Sequence, residues 1–223
     1  MKLFKILSLV TILFVATQTS SSQTLNWYSI ENATHILTAS IGWDYGITYN
    51  IGYAYKLKAK LPIALTANFS IPSGEDLLDD FKTKIGGQIS ILNKSDFKGI
   101  ITVNGIYRRY RNPLVQLQNF GSEFKGTLGY YRPKWFLAGE IGFDKAIVTH
   151  FNHSEEFKDI YPDVKNGWYE PSTGGNFSYG IQSGYSFNNS DFILGLGLLT
   201  TQDLKTSPSI PYYFMLGYNY RLN

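Results

Sequence analysis

Residues 36–57 read ILTASIGWDYGITYNIGYAYKL. Every second residue, from Leu37 through Ala39, Ile41, Trp43, Tyr45, Ile47, Tyr49, Ile51, Tyr53 and Tyr55 to Leu57, is apolar or aromatic. Those between, such as Thr38, Ser40, Gly42, Asp44, Thr48, Asn50, Gly52 and Lys56, are small or polar. A period of two marks β-strands, whose side chains alternate between faces. One face here is greasy and the other offers little bulk for a packed core. A transmembrane β-barrel has that distribution, with lipid outside and a polar lumen. A soluble barrel or sandwich should reverse it, with bulk inside and polarity outside.

The same alternation recurs along the chain. It predicts strands at 61–71, 81–91, 97–107, 120–130, 135–143, 177–187, 192–198 and 212–222. Tight polar turns are expected near Lys58, at 93–96, at 131–134 and at 188–191, alternating with longer connections at 72–80, 108–119, 144–175 and 201–211. Barrels of this kind have short turns at the periplasmic end and longer loops outside. That alternation puts the C-terminal end of the last strand in the periplasm. With the N-terminus on the same side, the strand count must be even. Nine strands follow Ile47, so 36–43 is a separate strand and Asp44-Tyr45-Gly46 a turn, giving a closed all-β antiparallel barrel of ten strands, with eight as the alternative. Aromatics near the strand ends, including Tyr53, Phe97, Tyr130, Trp135 and Tyr218 at one level and Phe69, Phe81, Tyr107, Phe120 and Phe143 at the other, predict two interfacial girdles.

The first 22 residues are not part of the fold. Lys2 and Lys5 precede a short apolar run at 6–16 and a small, polar stretch at 17–23, the arrangement of a secretory signal peptide. Ser20 and Ser22 suit the cleavage sites, placing the cut after Ser22. The organisation expected is a signal peptide at 1–22, a periplasmic lead-in at 23–35 and an outer-membrane barrel domain at 36–223. Losing Lys2 and Lys5 takes the formal charge from +3 to +1, so no strong basic field argues for nucleic acid. The chain has no cysteine, so neither disulfides nor a lipidated N-terminal Cys are available to it.

The export signal, the repeated alternation and the terminal Tyr218-x-Tyr220-x-Leu222 resemble the porin-like outer-membrane β-barrel superfamily of Gram-negative bacteria. The terminal stretch is similar to the assembly signal of such proteins, which usually ends in an aromatic residue; this chain instead ends Arg221-Leu222-Asn223. The resemblance implies outer-membrane localisation and contacts with membrane lipid, lipopolysaccharide and the barrel-assembly machinery. A monomer is expected.

On the lumen phase lie Lys82, Lys84, Lys98, Glu123, Lys125 and Glu140, along with Lys56, Arg221, Gln88, Asn104, Gln182 and Asn219. Charges inside a narrow barrel must be paired or hydrated, so the lumen is either plugged by pairing or a narrow pore. Arg108, Arg109 and Arg111, expected in an outside loop, suit lipopolysaccharide phosphates, or the acids of the 72–80 loop. In 144–175, His150, His153, Ser154 and several acids invite a metal or hydrolase reading, but no nucleophile motif or third ligand accompanies them. A capping loop with a helical turn begun by Ser154 is the simpler expectation. No catalytic residue, metal or cofactor is expected. The function expected is structural or that of a passive small-solute pore, with surface binding through 144–175 as the alternative and an enzyme less favoured.

Overall fold

The computed structural model describes residues 23–43, 46–74, 78–171 and 174–222. The proposed signal peptide, most of the Asp44-Tyr45-Gly46 turn, and Glu75 and Asp76 of the 72–80 loop lie outside the described residues.

Ten strands form the wall: β1 (His35–Trp43), β2 (Ile47–Leu57), β3 (Ile63–Pro72), β4 (Asp80–Lys94), β5 (Phe97–Arg111), β6 (Val115–Tyr131), β7 (Trp135–His153), β9 (Gly175–Phe187), β10 (Ser190–Thr201) and β11 (Tyr212–Leu222). A short strand, β8 (Gly167–Tyr169), attaches to the outer part of β7 and stands outside the ring. Every pairing is antiparallel. β1 pairs with both β2 and β11, and the sheet runs round through β6–β7 to β9, so the barrel is closed. A closed barrel leaves no spanning strand with unpaired backbone, which hydrocarbon would penalise.

The alternation sorts the side chains as the sequence implies. Leu37, Ile41, Tyr49, Ile51, Leu65, Ile85, Phe124, Leu128, Ile141, Leu196 and Leu216 are exposed on the outer face, while the residues between them turn inward. Aromatic rings form a ladder on that face. Phe69 meets Phe81 at 5.4 Å, Phe81 meets Tyr107 at 5.9 Å and Tyr107 meets Phe120 at 5.1 Å. Near the short turns, Phe97, Tyr130 and Trp135 make a second series at 5.1 and 5.7 Å. Two of those turns put a non-glycine residue in the left-handed region, Ser95 at φ 56° and Asn188 at φ 50°, as the primed turns of two-residue hairpins require.

The wall is lopsided. β1, β2 and β3 have 9, 11 and 10 residues, close to the spanning length of a tilted strand, whereas β4 to β7 have 15, 15, 17 and 19. The extra length rises at the long-loop end and corrects two sequence expectations. Residues 108–119 are not a loop: β5 continues to Arg111, a turn occupies 112–114 and β6 starts at Val115. Nor is 144–175 irregular throughout: β7 continues to His153, and α1 (Glu155–Ile160) and β8 follow. Ser154 does cap α1, its Oγ accepting from the Phe157 amide at 3.2 Å.

The largest departure concerns residues 23–34. Expected as a lead-in, this segment lies inside the barrel. Gln23, Thr24, Leu25, Asn26, Trp27, Ile30 and Ala33 are all buried, and a single 3-10 turn (Ser29–Asn32) reverses the chain into β1.

Candidate functional site: the lumen

The lumen has two unlike walls. Inward positions of β1, β2, β10 and β11 include Thr38, Ser40, Gly52, Gly195, Gly197 and Gly217, which leave space. Inward positions of β4 to β7 carry Lys82, Lys84, Lys98, Arg108, Glu123, Lys125, Glu140 and Asp144, all buried, which fill it.

Around the middle these long side chains form a belt of ion pairs. Lys84 Nζ lies 2.7 Å from Glu123 Oε1, and the other oxygen of that carboxylate accepts from Asn104 Nδ2 at 2.7 Å. Two residues along β6, Lys125 Nζ lies 3.3 Å from Glu140 Oε2. That oxygen also accepts from Gln182 Nε2 at 3.1 Å, and the Tyr213 hydroxyl donates to Oε1. Each glutamate is therefore met by a cation and by neutral donors, the condition under which a buried charge is tolerated. The belt joins β4, β5, β6, β7, β9 and β11. The six lumen-facing candidates read from the sequence all point inward, and five of them lie in or beside this belt. Lys98 sits lower, donating to Asn93 Oδ1 at 3.2 Å.

Towards the long loops, Arg108 Nε donates to Asp80 Oδ1 at 2.6 Å, with a second bond from its Nη2 to the other carboxylate oxygen. Arg108 therefore differs from Arg109 and Arg111: it faces inward and is 3% exposed, while its two neighbours lie in the outward phase of β5. The sequence grouping of the three arginines as one lipid-contacting set overlooked that β5 continues through them and alternates.

The half of the lumen nearest the short turns is closed by chain. Leu25, Trp27 and Ile30 join one apolar cluster with inward residues Ile36, Ala54, Ala64, Ile100, Tyr131, Phe136, Ala138, Ile193 and Met215. Tyr131 and Phe136 stack at 5.2 Å. Burying each of the three apolar plug side chains contributes about 1.5–3 kcal/mol. The segment's polar groups are anchored too. Gln88 Nε2 donates to the Gln23 carbonyl at 2.6 Å and Asn219 Nδ2 to the Thr24 carbonyl at 2.9 Å. Asn26 Nδ2 donates to Ser186 Oγ at 2.7 Å, and Ser186 in turn donates to Asp191, which pairs with Arg221 at 2.5 Å. Between Gln23, Thr24 and the small-residue wall lies a cavity of about 30 Å³. Sequence reasoning missed the plug because 23–35 has no period. A signal was available in Ile36, Ile100, Phe136, Ile193 and Met215, which are bulky apolar residues on the phase assigned to a polar lumen.

At the opposite mouth an open cleft of about 820 Å³ lies among Asp79, Arg111, Gln116, Asn152 and His153. The two histidines weighed as a metal pair take separate positions. His150 packs on Trp168 at 4.8 Å, and the Nδ1 of His153 lies 3.2 Å from Asn166 Oδ1 with its ring stacked on Phe157 at 5.1 Å. Ser154 is engaged in capping α1.

No protein-family model matches the chain, and no curated protein matches it. Among solved structures it is similar to a KdgM porin in complex with disordered oligogalacturonate, at 8% identity and a TM-score of 0.44, over 84% of this chain and 99% of that one. A second KdgM porin structure matches at 7% identity and 0.43, with coverage of 84% and 99%. A NanC porin in a rhombohedral crystal form matches at 7% and 0.42, with coverage of 83% and 100%.

Proposed function

We propose that this chain, exported after removal of residues 1–22, is an integral outer-membrane barrel of porin-like architecture whose lumen is held shut by its own N-terminal segment. It works as a non-catalytic, closed barrel that passes small solutes only when that segment withdraws. The observation that carries this reading is Trp27, 3% exposed within an apolar cluster contributed by both the segment and the wall. The ion-pair belt above it supports the same conclusion, since charges satisfied by one another need no water-filled channel. The apolar outer face and its aromatic ladder support the membrane setting. Arg109 lies two residues beyond the girdle residue Tyr107 in the same outward phase, and Arg111 two further, where lipid or lipopolysaccharide phosphates would meet them.

Planar-bilayer recording of the refolded mature protein tests the proposal. Intact protein is expected to be silent, and the double variant Trp27→Ser, Ile30→Ser to show steady channels. Steady conductance by the intact protein would overturn the closed reading. Silence of both would leave the belt as the barrier and favour a purely structural barrel.

A second reading rests on the tall wall. Trp168 and Tyr169 on β8 are 57% and 46% exposed, beside Phe151 and the girdle residue Phe120, and form an aromatic face rising from the outer girdle, suited to binding at the cell surface.

A further inference from the structure

We infer that Gln23 becomes the first residue of the mature chain and that its side chain closes on its own α-nitrogen, so that the segment filling the lumen begins with a pyroglutamyl ring. The inference rests on cleavage after Ser22, as in the export reading above. It is carried further by where Gln23 sits. The residue is 8% exposed, at mid-lumen, with its carbonyl held by Gln88. Its side-chain Nε2 and Oε1 are buried and have no hydrogen-bond partner among the described residues. A buried amide left unpaired is destabilising, and an unpaired buried ammonium considerably more so. An uncyclised N-terminal glutamine would bring both to this position.

The surroundings make the ammonium harder to accept. Among the described residues, the buried inward-facing cations Lys82, Lys84, Lys98, Arg108, Lys125 and Arg221 outnumber by one the carboxylates Glu123, Glu140, Asp144, Asp191 and Asp80, the partner of Arg108. Glu123, Glu140 and Asp191 are already engaged by Lys84, Lys125 and Arg221. The near wall, formed by Thr38, Ser40, Asn50, Asn68 and Ser70, carries no charge. A new cation at Gln23 would enter a lumen that already has a positive excess.

Cyclisation lessens the difficulty with the atoms at hand, leaving one lactam carbonyl and one N–H. The neutral α-amine attacks the side-chain amide carbon; the new Cδ–N bond forms, the Cδ–Nε2 bond breaks, and Nε2 leaves as ammonia with the proton given up by the amine. No oxidant or second substrate is needed. Three ammonium hydrogens and two amide hydrogens are replaced by one lactam N–H, and the positive charge is gone, while the Gln23 carbonyl that Gln88 holds is untouched.

The test is the intact mass and N-terminal sequence of the full mature protein purified from the outer membrane. The expected result is a chain starting at Gln23, lighter by one ammonia, blocked to Edman degradation, and opened by pyroglutamyl peptidase only after denaturation. A chain that starts at Gln23 with a free amine would overturn the inference while leaving the export reading intact. A start at any other residue would overturn both. As a second measurement, Gln23→Ala keeps a free amine and is expected to lower the temperature of the heat-modifiable gel shift. An unchanged transition would show that the lumen accepts the charge and would count against the inference, and if this variant does not assemble, the mass of the native chain still decides.

Discussion

The hydroxyl of Tyr213 on β11 donates to the carboxylate of Glu140 on β7, three strands away around the wall. The ring can span that gap because β9 and β10 present glycine beneath it. A Cβ at Gly197 would lie 2.5 Å from two carbons of the Tyr213 ring, and one at Gly180 would press on the hydroxyl. The aromatic arm and its glycine floor work as one device that ties the last strand to the belt. Tyr213→Phe is expected to cost about 1.5–3 kcal/mol, the range for a hydrogen bond to a charged group. Gly197→Ala should cost at least as much, by displacing the same ring. The transition temperature of heat-modifiability on gels measures both, and additive effects in the double variant would show that the two residues act separately.

Removing Glu140 should be worse than removing Tyr213. Glu140→Ala takes from Lys125 the carboxylate 3.3 Å away, deep in the lumen, and breaking such a pair from one side costs about 3–5 kcal/mol. Replacing both charges, as Glu140→Ala with Lys125→Met, should recover a good part of the loss. Urea denaturation in detergent micelles reads the difference; a double variant no more stable than Glu140→Ala alone would show that the pair is not the source of the effect.

One acid outside the membrane region gives a pH expectation. Asp203, in the connection between β10 and β11, accepts from the Thr201 hydroxyl at 2.6 Å and from the Lys205 and Thr206 amides at 2.8 and 3.1 Å. The Thr201 bond first, then the two amides, hold its carboxyl well below the usual carboxylate range. Because the folded value is depressed, the stabilisation is fully present above the ordinary value of about 4 and is lost only as pH falls through the lower folded one. The loop should therefore keep its shape at pH 4. NMR titration of Asp203 checks this, and Asp203→Asn should speed trypsin cleavage at the adjacent Lys205 at neutral pH.

Orientation can be tested on intact cells. Lys165 is exposed between α1 and β8, while Lys94 and Lys134 are exposed at the short-turn end. With the short turns in the periplasm, external trypsin should cut at Lys165 and spare Lys94 and Lys134 until the outer membrane is permeabilised. The opposite pattern would invert the barrel.

The wall of this protein was legible because lipid selects its residues one at a time. Each outward position between the girdles must be apolar and each inward one need not be, so strand number and phase could be read from residues such as Ile85, Phe124 and Leu196. That selection stops above the bilayer. Arg109, Arg111, Gln116 and Gln118 belong to the same β5–β6 ladder, yet lie beyond the girdle, and their polarity imitates a loop. The inward charges were legible by phase, but their partners were not, because Glu140 finds Tyr213 across three strands of the curved wall. The plug was hidden for a related reason. Leu25, Trp27 and Ile30 satisfy the interior of a barrel and not a periodic element of their own, so no local pattern announces them.

The three residues of β8 have a consequence for how barrels meet one another. On its β9 side, β7 has its last barrel pairing at Lys145 and Gly175, and then continues to His153. Left bare, this projecting stretch would offer free amides and carbonyls to any strand that approached. β8 pairs with Thr149, His150 and Phe151, so the chain folds back and occupies the edge itself. An exposed sheet edge is a template for joining two molecules into one continuous sheet, and natural proteins cover such edges. The returning chain thus also guards the tall wall against strand-to-strand fusion with its neighbours.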